Sequence, residues 1–310
     1  MSLTSRLSDA SSPVSAFFRQ NFAFASRFAS DQNRQIKSLH RLVCPTNGWD
    51  ASLVGAAIDY RIRTFFGLEE DQERDLVGML GMRRIADFTG LSGKGLGQYT
   101  EDLFSLRRVM ARQKPGGELE GQYIRHCLLL AKSEIYVRAG RLVPEVLQFL
   151  YQLDRAGWNR SLLDGVASEA TISDMRGLAH LFARKHWGLV ETGNSARLNP
   201  SFGQYSEALG GADADLVLGD TLYDIKTTVR LISCKNLAQI MAYSFLDDEI
   251  ARTGFYFSRF GALVSWDVGD LVKEASGGNL SLHTARDSFR KLVLSLPEES
   301  HTPYPGEKLP

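Results

Sequence analysis

The chain is short of cysteine, of net charge and of long apolar runs, and each shortage removes a class of protein. Its three cysteines, Cys44, Cys127 and Cys234, lie far apart and form no Cys-x-x-Cys pair. Neither a disulfide framework nor a thiolate zinc site is expected from such spacing. No stretch approaches the roughly 18 apolar residues of a membrane span, and the opening MSLTSRLSDASSPVSAFF has no apolar centre of the kind a secretory leader carries. A cytoplasmic protein without a membrane partner is the expectation. Basic and acidic residues both number 36, so no global field draws the chain to a polyanion, and any nucleic-acid contact has to come from a local patch. Repeats of solenoid length are missing as well. His180 and His186 share a helical stretch without a His-Glu-x-x-His pattern and read as surface or packing residues. The glycine-spaced stretch at Gly93, Gly95 and Gly97 lacks both the Gly-Lys-Ser/Thr ending of a phosphate loop and a strand before it, so it reads as a plain loop.

What is present fits an ordinary globular chain: 310 residues, 44% hydrophobic and 23% charged, enough for one large domain or two modest ones. The first half reads as helices over 51–66, 123–139 and 143–153, the last with Pro144 in its first turn, where a missing N–H costs nothing. From about residue 170 helix and strand mix. Ser173 is placed to cap a helix over 174–187, and short strands are expected at 197–202, 215–218 and 221–227, the last two joined by the turn Gly219-Asp220. A helix over 236–250, strands at 254–260 and 262–266, and helices over 268–275 and 285–294 complete the pattern. The expected division is a helical region over 1–165, an α/β core over 166–297 and a loose tail over 298–310.

The segment from Gly210 to Tyr243 carries charged residues inside strands that otherwise look buried. A carboxylate there must be neutralised or paired, and two that converge beside a lysine suit a divalent metal. Asp224 and Lys226 alternate along one strand and face the same side, while Ile225 faces the other. Asp215 opens the preceding antiparallel strand, so a tight turn brings it beside Asp224. Asp213 competes for the same role, but Asp215 directly abuts the apolar run Leu216-Val217-Leu218.

These residues resemble the PD-(D/E)XK nuclease superfamily, whose motif is an acid on one strand and acid-x-Lys on the next. Asp215 and Asp224-Ile225-Lys226 match it, without the proline that often precedes the first acid. Gln239 and Tyr243, four apart on the next helix, resemble the Gln-x-x-x-Tyr motif of the RecB-like branch. The resemblance covers about residues 196–266. It implies a restriction-endonuclease-like α/β fold, a mixed sheet flanked by helices with a helical N-terminal region. It also implies that Asp215, Asp224 and the Ile225 carbonyl hold Mg²⁺ or Mn²⁺, that Lys226 orients or activates water, and that Gln239 and Tyr243 support the site or touch substrate. That branch also places Gly-x-x-x-His on an upstream helix. Gly55 matches, with Asp59 where the histidine would stand, and aspartate is a ligand for the same hard cations.

The expected activity is metal-dependent hydrolysis of phosphodiester bonds, with DNA favoured over RNA, in defence or repair. The rival is a catalytically silent nuclease-fold protein that binds nucleic acid or serves as a scaffold. For single residues plainer readings stand alongside. Asp224 and Lys226 also suit a solvated salt bridge at a sheet edge, Asp59 an ion pair with Arg63 one turn on, and Glu134 and Asp174 a solvated helix face. Tyr256, Arg259 and Phe260 fit core packing with a basic, aromatic rim, or core packing alone.

Overall fold

The computed structural model describes residues 2–44, 51–67, 76–192, 196–212 and 214–297. In chain order the elements are α1 (Leu3–Ser8), α2 (Pro13–Asn21), α3 (Ala25–Leu39), α4 (Ala51–Phe65), α5 (Val77–Thr89), α6 (Leu96–Met110), α7 (Gly117–Ala139), α8 (Pro144–Ala156) and α9 (Glu169–Thr192). The sheet region follows with β1 (Ala196–Leu198), α10 (Gln204–Ala208), β2 (Leu216–Leu218), β3 (Thr221–Lys226), α11 (Cys234–Leu246), β4 (Arg252–Phe257), β5 (Ala262–Asp267), α12 (Val268–Ser276) and α13 (Leu282–Leu294). The chain is therefore α/β and mostly helical, with one mixed five-stranded sheet flanked by helices.

The two compact units are drawn differently from the division expected near residue 165. Among the described residues, one unit joins those up to Val43 to those from Ala196 to 297, and the other comprises those from Cys44 to Thr192. The expected tail at 298–310 lies outside the described residues. α9 belongs with the helices before it, whereas α1 to α3 build the core of the sheet unit. Periodicity shows which face of a helix is apolar but not which partner covers it, so the long-range assignment was not visible in the pattern.

In the sheet unit the strands lie in the order β1-β2-β3-β4-β5. β2 and β3 form a two-residue hairpin, with Leu218 opposite Thr221 and Gly219 at φ 59°, the positive value that favours glycine at the first turn position. β3 and β4 are parallel, which requires a crossover, and α11 supplies it. α11 starts at a reciprocal cap: Ser233 Oγ accepts from Asn236 N–H at 3.1 Å while Ser233 N–H donates to Asn236 Oδ1 at 3.0 Å. Its far end is closed by two arginines of α13. Arg290 Nε donates to the Phe245 carbonyl at 2.6 Å, and Arg286 donates to the Ser244 and Ile250 carbonyls at 3.3 and 2.7 Å. These answer the unpaired carbonyls that every helix leaves at its C-terminus.

The N-terminal helices fix the loops that flank this crossover. Leu3 N–H donates to the Gly211 carbonyl at 3.1 Å, shortly before β2. Asn33 makes a reciprocal pair with Ile232, accepting its N–H and donating to its carbonyl, both at 2.8 Å, just before α11. Phe18 of α2 stacks on Phe245 of α11 with centroids 6.3 Å apart and meets Phe289 of α13 at 5.4 Å.

In the helical unit α7 lies at the centre. Gly78 and Gly81 let α5 approach it so closely that a Cβ at either would stand 2.5 Å from the Leu130 carbonyl or 2.2 Å from that of Ser133. Arg61 and Glu120 form a bidentate pair inside the unit, both contacts at 2.9 Å, with Arg61 stacked 3.9 Å from the Phe65 ring centroid. Two expectations are corrected here. The glycine-rich stretch is only half loop, because Gly95 is the N-cap residue of α6 and Gly97 lies in its first turn. α9 starts earlier than Ser173: the Ser168 hydroxyl accepts from Thr171 N–H at 3.2 Å, so Ser173 lies inside the helix. The strands at 197–202 and 254–260 are also shorter than expected, ending at Leu198 and Phe257.

Because Phe18 is buried against α11 and α13, Phe18→Ala should destabilise the sheet unit by about 3–5 kcal/mol, the usual cost of emptying a buried phenylalanine site. Urea unfolding followed by circular dichroism measures it. An unchanged midpoint would show that α2 is not part of that core.

Candidate functional site

The β2–β3 hairpin puts its two acids together through register alone. Leu216 faces Tyr223, Val217 faces Leu222 and Leu218 faces Thr221. Extending that register by one residue sets Asp215 opposite Asp224, on the same face. β4 runs alongside with Phe255 beside Asp224 and Phe257 beside Lys226, and both rings belong to the apolar core that α11 covers. Asp224 therefore sits at the inner face of the sheet with its side chain only 4% exposed, and Lys226 follows on that face at 21%. The solvated sheet edge considered for this pair is excluded by that burial.

From Asp224 a chain of polar contacts runs outward. Lys226 Nζ lies 2.6 Å from Asp224 Oδ2, a close ion pair. The same ammonium donates to Gln239 Oε1 at 3.1 Å, and Gln239 Nε2 donates to the Tyr243 hydroxyl at 3.1 Å. Tyr243 stacks on Phe202, centroids 5.6 Å apart and planes 17° from parallel. Asp215 enters from the other side: its Oδ2 accepts the Ile225 N–H at 2.7 Å. In extended backbone a residue's N–H and C=O project toward the same neighbour, so the Ile225 carbonyl also projects toward Asp215, beyond the end of β2.

Burial dominates the electrostatics. Desolvation pushes the Asp224 carboxyl up to about 6; the Lys226 ammonium pulls the other way, and the Asp215 charge adds to the rise. Two hard carboxylates and a backbone carbonyl form a donor set suited to Mg²⁺ or Mn²⁺, which characteristically keep several waters beside one or two carboxylates. Among the described residues no three His, Cys, Asp or Glu side chains form a metal-holding group, so the remaining positions of such an ion would fall to water and substrate oxygens.

The other sequence candidates are distributed elsewhere. Asp59 belongs to the helical unit, where Arg63 one turn on approaches its Oδ2 at 2.5 Å, the plainer of its two readings. Glu134 takes the Tyr60 hydroxyl at 2.7 Å and pairs with Arg138. Asp174 is half-buried in α9, His180 is exposed, and His186 marks a kink in that helix with φ −131°. Asp213 lies outside the described residues. Tyr256, Arg259 and Phe260 are buried, so they pack rather than form a rim.

Sequence reasoning missed the segment 199–202. Asn199, at φ 50°, donates its N–H to the Asp215 carbonyl at 3.1 Å, and Ala214 N–H donates to the Pro200 carbonyl at 3.2 Å. The segment thus braces Asp215 while its Phe202 carries Tyr243. Asn-Pro signals a turn, but nothing local in it points to an aromatic support for a distant helix. No family model, curated protein or solved structure matches the chain.

The raised Asp224 pKa carries a sign. Between the ordinary value of 3.8 and about 6 the folded state holds a proton that the unfolded chain has released, so stability falls as pH rises through that window. Without divalent cation, Asp224→Asn should melt higher than wild type above pH 6, and the difference should vanish toward pH 4. Adding Mn²⁺ at neutral pH should raise the wild-type Tm and not that of the variant. Thermal unfolding across pH checks both, and a variant that melts lower than wild type at pH 7 would contradict a desolvation cost that exceeds the Lys226 attraction.

Proposed function

We propose that the chain is a Mg²⁺- or Mn²⁺-dependent nuclease of the PD-(D/E)XK kind, with a restriction-endonuclease-like core in its sheet unit, hydrolysing phosphodiester bonds with DNA favoured over RNA. One observation carries the reading: the contacts from Asp224 through Lys226 and Gln239 to Tyr243, with Asp215 held against the Ile225 amide. A chance Asp-x-Lys would not bring a glutamine and a tyrosine one helical turn apart into register with its lysine.

On this reading each residue has a separate task. Asp215, Asp224 and the Ile225 carbonyl hold the cation. When bound, the ion supplies Lewis acidity at the scissile phosphate and lowers the pKa of a bound water. Lys226 presents its ammonium to the attacking water and to the charge that grows on the phosphate oxygens. Water's oxygen joins phosphorus, one ester P–O bond breaks, and the proton given up by water ends on the departing oxygen, which yields a phosphate monoester and a hydroxyl. Gln239 is a positioning residue, since its carbonyl oxygen fixes the Lys226 ammonium and its amide is oriented by Tyr243. An arginine at 226 would carry a planar fork unsuited to the slot between Asp224 and Gln239.

The test is cleavage of single- and double-stranded DNA and RNA with Mg²⁺ or Mn²⁺. Asp224→Ala and Lys226→Ala should each lose about 10²-fold or more in rate, and Gln239→Ala about 10- to 100-fold, the usual cost of a supporting contact. Equal cleavage by wild type and Asp224→Ala would mark the activity as a contaminant. Binding without cleavage of any substrate would favour the silent binding or scaffold protein instead.

A further inference from the structure

Behind α11, away from Gln239 and Tyr243, lies a cavity of about 300 Å³ within the sheet unit. Its floor is apolar: Phe18 and Phe22 from α2 and its end, Ala238 and Met241 from α11. Two cations stand at its border, and among the described residues both have neutral hydrogen-bond partners. Arg19 donates to the Ala10 carbonyl at 2.8 Å and to Ser15 Oγ at 3.3 Å, and Lys235 donates to Ser8 Oγ. Asp9, the acid of that loop, accepts at Oδ1 from the Ser11 N–H and hydroxyl at 2.9 and 2.6 Å and forms no ion pair with either cation. Cys234, at the first position of α11, is exposed and lines the same cavity.

An apolar floor beside two cations that form no ion pair among the described residues is complementary to an amphipathic anion. At the ~30 Å³ that a water takes up in the liquid, the space holds on the order of ten non-hydrogen atoms, and pockets near this size with few polar groups are typical of small-molecule sites. We propose that this cavity binds a medium-chain aliphatic carboxylate, its chain on the Phe18, Phe22, Ala238 and Met241 floor and its carboxylate between Arg19 and Lys235. The site is independent of the nuclease reading and stands or falls without it.

Octanoate is the probe, and Cys234 is the reporter. In full-length protein carrying Cys44→Ser, with Cys127 buried, the rate of Cys234 modification by a disulfide reagent is followed against octanoate, octanol and acetate. Octanoate should slow the reaction severalfold and saturably, while octanol and acetate at the same concentration should not. Ala238→Phe, which fills the floor, should abolish the protection, and the double variant Arg19→Gln, Lys235→Gln should make octanoate no better than octanol. No protection by octanoate, equal protection by octanol in the unsubstituted cavity, or undiminished protection in Ala238→Phe overturns the proposal. The comparison of the three probes needs no cavity variant, so it decides even if a substitution disturbs folding.

Discussion

The ionisable group on which the sheet unit's polar structure depends is Asp224, placed where water does not reach it. A carboxylate in that position cannot stand alone, and Lys226 two residues on is the nearest group of opposite charge. The lysine in turn needs its remaining donors satisfied, which brings in Gln239. The glutamine amide needs an acceptor, which brings in Tyr243. One buried charge thus determines what α11 must present at two positions of its inner face. Replacing such a pair by apolar residues of the same size is often neutral or stabilising, and Asp215 makes the position still less favourable by adding a second negative charge. An arrangement that works against stability is more readily understood as kept for chemistry than for the fold.

That arrangement demands a helix that does not shift, and α11 is restrained at both ends. Ser233 and Asn236 close its start, while Arg286 and Arg290 close its finish by bonding carbonyls of the last turn and the loop beyond. Each charge-assisted bond is worth about 1.5–3 kcal/mol, so a rotation of the helix that displaced Gln239 would lose several of them. The N-terminal helices add a second restraint through Asn33 on Ile232 and Phe18 on Phe245. Residues remote in sequence thereby hold the two loops from which β2 and α11 begin.

How much of this was legible in the sequence depends on the range of the interaction. The hairpin, its turn at Gly219-Asp220, and the sharing of one face by Asp224 and Lys226 follow from the period of a strand, and the structure has all three. The contact between Lys226 and Gln239 spans thirteen residues across a crossover; motif order suggested it, but only the fold could supply it. The place of α1 to α3 was not readable, because an amphipathic helix states that it needs a partner without saying which one. Likewise the i to i+4 spacing of Asp59 and Arg63 fitted both an ion pair and a metal role, and the structure shows the ion pair. The expected cap was Ser173, but Ser168 caps the first turn of α9; an acid follows each serine, and local pattern does not rank two equivalent starts.

The position of Lys226 carries the argument one step further. Its ammonium pairs with Asp224 Oδ2 at 2.6 Å and also donates to Gln239 Oε1 at 3.1 Å. On the proposed reading a divalent cation would draw on the Asp224 carboxylate that Lys226 also contacts. If Asp224 were the only anchor of the lysine, cation binding would release its flexible four-carbon stem into many rotamers, at an entropic cost to any later reorganisation. Gln239 removes that difficulty, because it keeps hold of the ammonium when the carboxylate changes partner. This gives the glutamine a physical task that leucine or alanine on the same face of α11 could not perform, and it explains why the amide is itself fixed by Tyr243 rather than left to rotate.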